Sequence, residues 1–198
     1  MRIALFDYGT GNLHSLAKAL AGGGNQVHIE SDLAAVRQAD ALVLPGVGAF
    51  GAAATRVAPY VDGLRAALAA GLPCLGICIG MQLLFESSEE GAGAGIGFLP
   101  GRVRRLRVPR VPHMGWNAVE TTMDPLFGDS SELIAYFANS YVAEPSEESC
   151  EIGWTEYAGD RFPSAVRKGR TWGVQFHPEK SADAGLALLR NFLVEAAR

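Results

Sequence analysis

The sequence predicts an α/β fold: a mostly parallel central sheet flanked by helices, with an antiparallel β extension in the second half. Up to about Glu90, short apolar runs alternate with stretches of helical spacing, the pattern of a parallel sheet covered on both faces. Beyond it, helical spacing gives way to short β-prone segments separated by turn residues. Between the two regimes lies LPCLGICIGMQL, residues 72–83, which reads as a buried strand bending sharply into a helix.

Residues 2–8 suit a first buried strand; Gly9, Thr10, Gly11 and Asn12 form a tight loop, and Leu13, Leu16, Ala17 and Leu20 follow at helical spacing. Glycines 22–24 stop that helix, residues 26–30 read as a second strand, and Ser31 or Asp32 caps a short helix through Arg37. A third strand spans residues 41–44. The unit repeats with a glycine-rich loop (45–51), a helix with Val61, Leu64 and Leu68 on one face, and the strand leading to Cys78. Residues 91–97 form a flexible connector. Strand candidates then cover 102–108, 117–121, 133–138, 150–157, 164–167 and 171–176. A final helix over 182–197 is expected to be capped by Ser181 and to bury Leu186, Leu189, Leu193 and Ala196. With no internal repeat or linker, 1–198 reads as one domain.

The chain has 198 residues, 48% of them apolar and 19% charged, which are values of a globular protein. A net charge of −4 gives no reason to expect a nucleic-acid partner. Three cysteines are too few and scattered for a disulfide framework, and no signal-peptide core develops at the N-terminus, so a reducing cytoplasm is expected. Residues 66–85 are uncharged over the length of a membrane span, but Gly71, Pro73, Gly76, Gly80 and Gln82 divide them into helix end, strand and helix start.

At the 72–83 bend, Cys78 would stand clear of the sheet at the positive end of a helix, flanked by Gly76 and Gly80. This is the backbone logic of a nucleophile elbow with sulfur in place of oxygen. The alternative is a small buried hydrophobe, the reading given to Cys74 and Cys150. At Gln175-Phe176-His177-Pro178-Glu179 a β-prone run ends in a histidine that Pro178 keeps extended. In extended chain, residues two apart share a side, so Glu179 would orient the imidazole of His177 toward a thiol. Alone, this pentapeptide fits a surface histidine at a strand end; with Cys78 it fits a triad. The amide of Ile79 and the loop Pro45-Gly46-Val47-Gly48 would supply donors to an oxyanion, or that loop is an ordinary tight turn.

LPGVGAF, GICIGMQLLFE and QFHPEKS, in this order, resemble the class I, triad-type glutamine amidotransferases, whose fold is flavodoxin-like. DYGTGNLHS, VPHMGWN and Lys180 after HPE narrow the resemblance to the glutaminase-subunit family of imidazole glycerol phosphate synthases, in histidine biosynthesis. The resemblance implies that Cys78 attacks the glutamine side-chain amide, that His177 shuttles protons and Glu179 orients it, and that Val47 and Ile79 donate to the oxyanion. It places glutamine against Gly46, Gly48, Gln82 and Glu86, the last two on one face of the helix after Cys78, and against Asn139, Ser140 and Tyr141, where a histidine often stands in place of Asn139. A solvated helix side remains the other reading of Gln82 and Glu86. It also implies a heterodimer with a cyclase subunit, a (β/α)₈ barrel that receives the ammonia, and no cofactor or metal. Asn12, Trp116, Asn117 and Lys180 would lie near that interface; locally they also read as a helix cap, core packing, a strand end and a solvated cation. Five arginines between 102 and 110 fit a partner surface or a solvated β edge.

Other chemistries fail on single residues. His14 stands where a dinucleotide fingerprint needs its third glycine. Met81 replaces the second cysteine of a thioredoxin-like site, and Leu84 the arginine of a Cys-x₅-Arg phosphatase. The papain-like signature around the cysteine is absent. A glutaminase serving another synthase, or a non-catalytic regulatory partner on the same fold, are the remaining alternatives.

Overall fold

The structure, a computed structural model, describes residues 1–9 and 13–198. Strands β1 (Arg2–Phe6), β2 (Gln26–Glu30), β3 (Ala41–Leu44) and β4 (Cys74–Ile77) follow the expected alternation with helices α1 (Leu13–Leu20), α2 (Leu33–Val36), α3 (Phe50–Val57) and α4 (Val61–Ala69). A four-residue helix α5 (Ile79–Gln82) follows β4. The second half adds β5 (Ser87–Ser88), β6 (Gly101–Arg105), β7 (His113–Thr121), β8 (Glu132–Asn139), β9 (Tyr141–Pro145), β10 (Glu151–Tyr157), β11 (Asp160–Lys168), β12 (Thr171–Val174) and helix α6 (Ala182–Ala196).

Among the described residues, nine strands form one sheet in the order β2-β1-β3-β4-β12-β11-β10-β7-β8. The pairs from β2 to β12 are parallel and those from β12 to β8 antiparallel. β3, β4 and β12 are buried along their whole length, as strands covered on both faces must be. β8 instead alternates between buried and more exposed positions, the pattern of a sheet with one solvated face. Helices flank the sheet, with α1 packed against α6. Asp32 caps α2, its carboxylate accepting from the amide of Ala34 at 2.9 Å.

Four expectations are corrected. The helix after Cys78 ends at Gln82, because the amides of Leu84 and Phe85 turn to carbonyls three residues back and the chain leaves the helical path. β9, which carries no strand signal in the sequence pattern, pairs with β6 to form a separate small sheet with β5. In α6 the buried face runs through Gly185, Leu188, Leu189, Phe192 and Ala196, leaving Leu186 exposed. Gly185 sets that rotation, since a Cβ there would lie 2.0 Å from the carbonyl oxygen of Pro178. Ser181 occupies the N-cap position, yet its hydroxyl makes no cap bond. It donates to the carbonyl of His177 at 2.7 Å and accepts from the amide of Tyr136 at 2.9 Å.

Much of the arginine-rich stretch is paired within the chain. The guanidinium of Arg104 makes two 2.8 Å bonds to the carboxylate of Asp160, and Arg102 and Arg107 pair with Glu144. Burial pushes the Asp160 carboxyl up, but its bonds from Arg104 and the Arg107 amide hold it below the ordinary range.

Ser181 is fully buried. Ser181→Ala leaves the Tyr136 amide unpaired and is expected to lower unfolding free energy by about 1–3 kcal/mol, read from the midpoint of urea denaturation.

Candidate active site

Because β4 lies between β3 and β12, the carboxyl ends of three adjacent parallel strands open on one place. Gly76 is in register with Leu44, and Ile77 with Val174. The loop after β3, Cys78 after β4, and residues 175–179 after β12 therefore converge, although about a hundred residues separate the last two.

Cys78 has φ 53° and ψ −109°, a conformation that costs a non-glycine residue roughly 1–3 kcal/mol. The surroundings hold it there: its amide donates to the carbonyl of Val174 at 2.7 Å, and its own carbonyl accepts from the amide of Gln82 at 3.1 Å. The flanking glycines are required by contact. A Cβ on Gly80 would fall 1.9 Å from the carbonyl oxygen of Leu44, and one on Gly76 would fall 2.7 Å from that of Gly80. Cys74 and Cys150 are core residues; burial pushes both thiols up, Cys150 to about 11.

Nδ1 of His177 lies 3.0 Å from Oε1 of Glu179, with both side chains buried. The contact arises in a single 3₁₀ turn over Pro178–Lys180 rather than by alternation along extended chain. Burial opposes the charged imidazole, but hydrogen bonds and charge from Cys78 and Glu179 outweigh it and raise His177 to about 9.

A cavity of about 190 Å³ opens beside the sulfur. Val47, Gly48, Cys78, Ile79, Gln82, Asn139, Ser140, Tyr141 and His177 line it, all singled out in the sequence, together with Glu90, Pro112 and Met114, which were not. Gly48 has φ +104°, open to glycine. Nε2 of Gln82 donates to the carbonyl of Tyr141 at 3.1 Å and to Oε1 of Gln175 at 3.0 Å, and Nδ2 of Asn139 donates to the same Tyr141 carbonyl at 3.1 Å. Oε1 of Gln82 and Oδ1 of Asn139 are buried without a donor. The carboxylate of Glu90, which accepts from the amide of Phe50 at 2.7 Å, also borders the cavity.

Two residues expected at the ligand lie elsewhere. Glu86 is exposed, beyond the end of α5, and its carboxylate accepts from the amide of Gly101. Gly46 packs beneath the elbow, where a Cβ would meet that of Ile79 at 2.6 Å. Of the interface residues, Asn12 lies outside the described residues. Trp116 (55% exposed) and Lys180 are on the surface around the ring of Tyr136, at 6.0 Å centroid separation and 5.9 Å respectively. Met114 and Ile134 continue this apolar stripe, on the same side of the β7–β8 ribbon by register. Asn117 points to the other side, donating to the carbonyl of Glu156 at 2.9 Å.

Residues 4–196 match the family model described as Glutamine amidotransferase class-I, and the chain belongs to that class. Two solved structures share the fold: a glutamine amidotransferase (TM-score 0.78, 20% identity, 99% of both chains) and PurLQS from Thermotoga maritima (0.76, 17%, 98% of this chain and 97% of that one). Curated relatives named imidazole glycerol phosphate synthase subunit HisH are much closer in sequence, and the chain is a member of their family. A protein from Thermus thermophilus is 47% identical over 96% of this chain and 95% of its own length. Those from Synechococcus elongatus (43%, 99% and 94%) and Corynebacterium glutamicum (43%, 96% and 97%) are similar.

The raised His177 has a stability consequence. Its folded value of about 9 lies above the ordinary 6.5, so its contribution is complete below pH 6.5 and fades as pH rises toward 9. The urea midpoint is expected to fall across that window, and His177→Asn to flatten the fall.

Proposed function

We propose that the chain is the glutaminase subunit of an imidazole glycerol phosphate synthase, hydrolysing L-glutamine and delivering ammonia for histidine biosynthesis. The observation that carries this reading is the Cys78–His177–Glu179 constellation at the mouth of a cavity of about 190 Å³. The thiolate of Cys78 attacks the side-chain carbonyl carbon of glutamine, whose oxygen takes the negative charge. Amides of Val47 and Ile79 are the assigned donors to that oxyanion. His177, held as imidazolium by Glu179, gives its proton to the departing nitrogen, so ammonia leaves and a thioester remains. Water then attacks the thioester, the neutral imidazole accepts its proton, and glutamate departs as the thiolate is restored. Gln82, Asn139 and Glu90, with Gly48, Ser140 and Tyr141, form the wall around the ligand.

The partner in this reading is a cyclase subunit with a (β/α)₈ barrel, bound as a heterodimer. The apolar stripe of Met114, Trp116, Tyr136 and Ile134, with Lys180 at its side, suits such a surface: aromatic and methionine side chains around one cation, reaching the cavity rim at Met114. One domain carries the whole site. A cytoplasmic setting agrees with three free cysteines; among the described residues no helix is long and apolar enough to cross a membrane.

With its cyclase partner and nucleotide substrate, the chain is expected to release glutamate from glutamine, and less so alone. Cys78→Ala should reduce this release by at least about 10³-fold while assembly persists; full turnover in that variant would overturn the mechanism. Trp116→Ala should weaken cyclase binding about tenfold or more in titration calorimetry, with little change in Cys78 alkylation in the free chain.

A further inference from the structure

Gln175 is fully buried directly after β12 and two residues before His177. Residues two apart in extended chain share a side, so its amide and the imidazole both face the elbow, while Phe176 between them packs on Phe137. Nε2 of Gln175 lies 3.6 Å from Sγ of Cys78, and its Oε1 accepts from Nε2 of Gln82. The polarity of this relay is fixed at its far end. The Tyr141 carbonyl can only accept, so the nitrogen of Gln82 must face it; the remaining N–H of that nitrogen requires the oxygen of Gln175, which leaves the Gln175 N–H for sulfur. Flipping either amide would set like against like.

We propose that Gln175 is a further hydrogen-bond donor to the Cys78 thiolate and, through its oxygen, holds the Gln82 side chain in place in the cavity wall. The inference rests on Cys78 being the nucleophile. His177 faces the sulfur as well, with Glu179 behind it and Glu90 across the cavity, and His177 loses its proton during turnover. The amide of Gln175 does not titrate. It therefore supports the thiolate released in the second half of the reaction whatever the state of the imidazole.

Two variants separate these roles. Gln175→Met removes donor and acceptor at similar size; Gln175→Glu, ionised, keeps an acceptor for Gln82 but has no proton for sulfur. Iodoacetamide alkylation of Cys78, followed by mass spectrometry across pH, is expected to slow about tenfold near neutrality in both, the size of one charge-assisted bond, with its pH midpoint moved upward. In the cyclase complex, KM for glutamine should rise in Gln175→Met and stay near the parent value in Gln175→Glu, while kcat falls in both. Parent-like alkylation in both variants, or an equal rise in KM, would overturn the proposal. If Gln175→Met does not fold by circular dichroism, Gln175→Leu takes its place, because a carboxylate at 175 slows alkylation by repelling the thiolate whatever the amide does. An active Cys78→Ala would instead defeat the glutaminase mechanism, so the two failures are distinguishable.

Discussion

Gly80 lies against the carbonyl of Leu44 so closely that no methyl group fits between them. This contact clamps the start of α5 onto the end of β3. It thereby forces the bend at which Cys78 adopts its positive φ. The strain is sustained because both peptide groups of Cys78 are bonded, one to β12 and one to α5, while β3 and β12 are anchored by their own ladders. A thiol on an unconstrained loop would relax to negative φ and lose its direction. Here the packed sheet, not the cysteine's preference, sets where sulfur points.

Electrostatics at the site turn on partners as much as burial, and two histidines show it. His113 is stacked between Phe137 and Tyr157, and burial lowers it to about 4, so it stays neutral. His177 is equally hidden from solvent, yet Cys78 and Glu179 raise it to about 9. Desolvation disfavours the charged ring in both; only hydrogen bonds and charge from two specific partners reverse the outcome at His177. The 3₁₀ turn that presents Glu179 therefore sets the charge on His177, and Ser181 ties that turn to β8.

How much was legible in the sequence follows from how local each feature is. The alternation through β4, the glycines around Cys78 and the pairing of His177 with Glu179 were readable, because periodicity, steric need and residue type are written over a few positions. Glu86 was placed by family resemblance and set on one helix face with Gln82, but the helix stops at Gln82, whereas Glu90 borders the cavity after a turn and a short strand with no periodic signature. The rotation of α6 depends on Gly185 meeting a carbonyl, a contact no helical pattern contains. Gln175 did carry a signal, its position two before His177. Its partners, however, lie 93 and 97 residues away in the chain, and only the pairing of β12 with β4 brings them together.

The rim of the cavity and the turn that carries Glu179 are also linked through one residue. Tyr136 on β8 accepts from the amide of His177 through its carbonyl and donates its own amide to Ser181, while its ring stands beside Trp116 and Lys180 on the surface. Met114 on β7 is 65% exposed and still lines the cavity, opposite Ala138 of β8. A body pressed onto this ribbon therefore bears on the strand that holds His177, with no flexible segment between. Close-packed elements transmit displacement instead of absorbing it, so Tyr136 is the residue through which this surface stripe and the His177 backbone are held in one arrangement.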